Sequence, residues 1–126
     1  MSEKKENITV LIVDPQEKPR KEIIKNELVT MQDLVGGYIE ALYPYEDPVD
    51  LICNDEGKSM GMPYNRALRD EDGHVYDVVA GTFLIAGLNE EHFDSLTDEL
   101  LEKYERLFDA PEMFIKHGGG LAVLQL

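Results

Sequence analysis

Tryptophan is absent, cysteine occurs once, and 12 Lys and Arg face 26 Asp and Glu in a chain of 126 residues. Each shortage excludes something. A lone thiol, Cys53, cannot close an internal disulfide, so stability must come from packing. The three histidines, His74, His92 and His117, are scattered, so no zinc-type ligand spacing arises. No apolar run approaches the roughly 18 residues that a spanning helix needs. The opening MSEKKEN is charged and has no apolar signal core. The expectation is a cytoplasmic protein without membrane contact, metal or cofactor.

The scarcity of bases is uneven. Residues 1–25 hold six Lys or Arg and five acids. From Asn26 to Gly57 there is no base and there are eight acids. From Glu90 to Glu112 nine acids meet only Lys103 and Arg106. With a net charge of −14, such a chain repels nucleic-acid phosphates and anionic membranes. It favours a basic protein partner, or it imitates nucleic acid. It also suits plain solubility.

What is present is enough for one core. An apolar share of 43% fits a globular protein, and the length fits one domain over 8–126 after a disordered tail, 1–7. ITVLIV at 8–13 is β-branched and ends at Asp14-Pro15, the pattern of a buried strand. KEIIKNEL at 21–28 has the Glu and Lys content of a helix, but its short spacing after the first strand favours a hairpin partner, and it is read as that strand. Thr30 and Asp33 resemble a capping box before an apolar stripe. Gly36-Gly37 interrupts that stripe, so a short helix over 30–36 stops at glycine and a strand follows at 38–43. VDLIC at 49–53 alternates as a strand. KSMGMPYNRALR has no steady period and is read as an irregular loop between the turns NDEG and DEDG. Strands follow at 74–79 and 82–88, with Ala80-Gly81 as a bulge or tight bend. Phe93, Leu96, Leu100, Leu101, Tyr104, Leu107 and Phe108 follow a 3.6-residue stripe, which predicts one long helix over 90–108 with a second possible start at Thr97. LAVLQL is a last strand.

Few residues here carry reaction chemistry. Asp70 and Asp72 before Gly73 fit two places of a calcium loop, but Leu68 and Val79 occupy its outer ligand positions. A hairpin turn is the better reading. Cys53 among acids is a structural cysteine, because negative neighbours disfavour the thiolate. Ser59 and Ser95 lie in no nucleophile elbow. A binding set remains: Asn54, Lys58, Asn65 and Arg66 on the loop, with Tyr38 beside the glycine break. Amide, ammonium and guanidinium together suit a carboxylate, a phosphate or a nucleotide edge.

The segments LVGGYIEALYP, ICNDEGKSMGMPYNRALRDEDG and VAGTFLIAGL together resemble the domain of unknown function 3846 family. The resemblance runs from about Ile8 to Met113. It implies a setting in Gram-positive bacteria, conjugative elements and phages, and no mechanism.

The expected fold is α+β: four to six mostly antiparallel strands packed by one long C-terminal helix and one short helix. The expected core is Val10, Ile12, Leu34, Ile39, Leu51, Phe83, Ile85, Leu101, Tyr104 and Phe108. Three functions remain open. One is a non-enzymatic binding module of a mobile element, using the 54–66 loop and the glycine break. Another is an acidic DNA mimic that blocks a host nucleic-acid-binding protein. The third is a small-molecule, nucleotide-like binder with Tyr38, Asn54, Asn65 and Arg66 around a pocket.

Overall fold

The computed structural model describes residues 4–126. Residues 1–3, and with them part of the expected tail, lie outside the described residues. By Glu6 the backbone is already paired, since Asn26 N donates to Glu6 O at 2.8 Å.

The continuous apolar run forms β1 (Asn7–Val13). Ile8, Val10 and Ile12 point into one cluster, Leu11 and Val13 into another. Both faces are covered, which is why this strand is apolar throughout rather than alternating. It pairs antiparallel with β2 (Arg20–Lys25). The strand expected at 21–28 is therefore real but ends early, at Lys25. Its charged side chains suit a sheet edge, where they discourage further strand pairing.

Helix α1 (Leu28–Val35) begins two residues before the expected start. Its N-cap is Glu27, with no side-chain cap bond, so the Thr30–Asp33 box does not operate. Its end is as expected: Gly36 adopts φ 80° as the left-handed cap. Next come β3 (Ile39–Leu42) and β4 (Val49–Asn54), paired antiparallel.

The segment read as an irregular loop contains a strand, β5 (Tyr64–Arg69), paired with β6 (Val75–Ala80). Two register shifts break this pairing, and Asn65 to Leu68 are buried in succession. Buried polar residues and bulges together erase the alternation that would announce a strand. Gly81, at φ 80°, turns the chain into β7 (Phe83–Leu88). That strand lies between β1 and β4, and the main sheet runs β2-β1-β7-β4-β3 with the short β8 (Phe93–Asp94) also on β7.

The long C-terminal helix does not form. The stretch 90–96 bends at 90–92 and then pairs as a short strand, and it is held by Leu96 N donating to Thr9 O at 2.9 Å and Thr9 N to Ser95 Oγ at 2.9 Å. Helix α2 (Asp98–Leu107) starts at the alternative cap, with Thr97 Oγ1 accepting from Leu100 N at 3.3 Å. The two helices have only 8 and 10 residues. A hairpin of β9 (Glu112–His117) and β10 (Gly120–Gln125) ends the chain; β9 was not foreseen.

The result is a small, sheet-rich domain with a core on each face of the main sheet. One holds Met31 of α1 against Val10, Ile52 and Leu84. The other holds α2 and the β5–β6 pair against Leu51, Phe83 and Ile85. Of the ten expected core residues, Leu34 and Ile39 are half-buried at the rim of the first cluster; the rest are buried.

Candidate functional site

The structure separates the five candidate residues. Tyr38 is 74% exposed. Asn54 is buried behind the glycine break, where Nδ2 donates to Val35 O at 3.2 Å and Oδ1 accepts from Glu56 N at 2.8 Å. It thus ties the end of α1 to the turn after β4. A Cβ on Gly37 would lie 2.8 Å from that Nδ2, which explains the second glycine. Gly37→Ala should push the amide off Val35 O and cost about 1–2 kcal/mol. Urea denaturation checks this, and an unchanged midpoint would contradict it.

Asn65 and Arg66 lie inside the domain, at 0% and 1% exposure. Asn65 Nδ2 donates to Val13 O at 2.8 Å and to Gly81 O at 2.9 Å. Arg66 Nε and Nη2 donate to Phe108 O at 3.3 and 2.9 Å, and Nη2 also to Glu17 O at 2.6 Å. Its Nη1 donates to Asn65 O at 3.2 Å and to Asn65 Oδ1 at 2.8 Å. Five N–H groups make five bonds, so this guanidinium has no donor left for a ligand. Phe108 caps the C-terminus of α2, where the helix dipole favours positive charge. Burial pulls the Arg66 pKa down, while Glu112 and Asp109 hold it up. Both residues are thus drawn into the scaffold, away from a loop surface.

Lys58 and Asn54 do share a hollow of about 280 Å³ with Glu40, Cys53 and Asp77. Lys58 is committed to an ion pair with Asp77. The Cys53 thiol at its edge is 5% exposed, and burial, then Glu40, Asp77 and Asp55, push its pKa up to about 11.

A second hollow, of about 470 Å³, was not foreseen. Asp50 of β4 is among its lining residues, 0% exposed, and neither carboxylate oxygen has a hydrogen-bond partner among the described residues. Burial pushes its pKa up to about 6. His92 lines the same hollow. Its Nδ1 lies 3.1 Å from Phe93 O, and its buried Nε2 is also without a partner among the described residues. Glu27, Glu90 and Glu91 add negative charge to the wall, and Lys4 is the base among the lining residues. Leu28, Tyr43 and Leu88 form an exposed apolar rim.

Asp50 escaped sequence reading because VDLIC alternates, which places Asp50 on a solvent-facing side. The main sheet is covered on both faces, so the polar position is buried as well. The available signal was the apolar context of a central strand. His92 was hidden within an expected helix start.

Among the described residues, the one metal-capable group of three ligands is Asp70, Asp72 and His74, all exposed. Asp70 Oδ1 accepts from Asp72 N and His74 N, both at 2.9 Å, which is a turn bonded to itself. Among the described residues, no helix is long and apolar enough to cross a membrane.

No curated protein and no solved structure matches the chain. The family model described as "Domain of unknown function (DUF3846)" matches residues 8–109. That span holds the main sheet, both helices, the Arg66 network and almost all of the Asp50 hollow, so the chain belongs to the DUF3846 family.

Proposed function

We propose that this domain is a non-enzymatic binding module for a basic protein partner, with the hollow over Asp50 as its contact site. The observation that carries this reading is the buried, unpartnered Asp50 carboxylate. A carboxylate held out of water without a donor costs several kcal/mol or takes up a proton. A positive group from outside would complete it, and Glu27, Glu90 and Glu91 would attract one.

Other acids weigh against a continuous imitation of DNA. Asp14, Asp47, Asp77, Asp94, Asp109 and Glu112 each meet a base within the chain. The charge of these six is partly offset internally, while Glu27, Asp50, Glu90 and Glu91 gather around one hollow. The implied setting on conjugative elements and phages fits a small module that engages a host protein.

The immobilised domain should retain a basic protein from an extract of the native host and release it as salt rises. Reversing Glu27, Glu90 and Glu91 to lysine should weaken retention by about tenfold or more. Retention unaffected by that reversal would remove the reading.

A further inference from the structure

We infer that the Asp50 hollow is a socket for one extended lysine or arginine side chain of a partner protein, with Asp50 meeting the cationic head and Leu28, Tyr43 and Leu88 holding the stem. This rests on the binding reading above and names the chemistry of its contact.

The shape and the charge agree. The volume of about 470 Å³ lies within the roughly 300–1,000 Å³ usual for sites that take small organic groups. A lone ion needs far less space, and Asp50 and His92 belong to no metal-capable group of three ligands among the described residues. The polar group against the hollow is negative: Asp50 is among its lining residues, with both oxygens buried and without a donor among the described residues. The rim is apolar: Leu28, Tyr43 and Leu88 are 58%, 63% and 43% exposed. A ligand that satisfies both must be apolar along its length and positive at its tip. Lysine and arginine have this build, with a methylene stem that packs while the charged end seeks a partner. Tyr43 and Phe93 also line the hollow, and aromatic rings attract cations. An acidic ligand would place its charge against Asp50, Glu27, Glu90 and Glu91.

The full chain should be titrated with the N-acetyl, N-methylamide derivatives of lysine, arginine and norleucine while backbone amide resonances are followed. The lysine or arginine derivative should shift resonances within 26–31 and 88–93, and norleucine, which keeps the stem but lacks the charge, should not. Asp50→Asn should weaken the cationic derivatives by about tenfold or more. Its fold is checked independently by thermal melting. Equal binding of norleucine would overturn the socket, since the hollow would then be an apolar groove. Tighter binding of free 1,4-diaminobutane than of either derivative would overturn the side-chain source in favour of a free diamine. Silence with every probe, while a basic protein is still retained, would overturn the socket and leave the binding module standing. Shifts with lysine but no retained protein would do the reverse.

Discussion

Arg66→Met should lower the melting temperature by about 15 °C, from a loss of about 4 kcal/mol. Methionine keeps most of the side-chain length, so the change isolates the donors. It leaves Glu17 O, Phe108 O, Asn65 O and Asn65 Oδ1 without the bonds that Arg66 supplies. Those acceptors belong to three places: the turn after β1, strand β5 and the end of α2. Water cannot replace the lost donors at a residue 1% exposed. Replacing a buried ion pair by apolar groups is often neutral because both partners go. Here the acceptors are mostly backbone and stay behind. Arg66→Lys should recover part of the loss, since three donors on a flexible stem cannot match a five-donor fork. Differential scanning calorimetry decides the matter. A melting temperature within a few degrees of wild type for the methionine variant would show that the network contributes little.

Asp50→Asn should do the opposite at neutral pH and stabilise the protein. The sign follows from linkage. Asp50 titrates near 6 in the folded chain, against 3.8 for the free group, because burial disfavours its ionised form. As pH rises from 4 to 6 the unfolded chain gives up this proton while the folded chain keeps it, so stability falls. Above 6 the full penalty stands, about two pKa units or roughly 3 kcal/mol. Asparagine cannot ionise and escapes the penalty. The gain of the variant should therefore be large at pH 7.5 and should shrink by about 10 °C in melting temperature at pH 4. Other acids act in the reverse sense. Lys103 and then Tyr104 hold the Asp47 pKa down, and Lys5 does so for Asp94, so their contributions disappear in acid. They are shared by both proteins and cancel in the comparison. An equal gain at both pH values would show that Asp50 ionises normally.

The two experiments concern residues that were read in opposite ways. Arg66 looked available because it sat among glycine, proline and turn residues with no visible period. The structure turns it inward, because β5 is irregular and its polar side chains meet backbone carbonyls of distant segments. Asp50 looked like an ordinary outward position of an alternating strand, and it is a buried residue lining the unforeseen hollow. Lys58 and Asn54 are neighbours as expected, but one is held by Asp77 and the other by the end of α1.

Local grammar was legible. The run at 8–13, the glycine stop at Gly36, the bend at Gly81, the Thr97 cap and the apolar stripe of α2 all depend on neighbours a few residues away. Those signals, with the composition, determined by themselves a small acidic α+β domain with its main strands in place. Only the tertiary structure decided where β5 and β9 pair, how far α2 extends, and which polar residues face inward. A strand's second face is settled by what packs over it. In this domain the covering segments lie tens of residues away in the chain, beyond the reach of any local period.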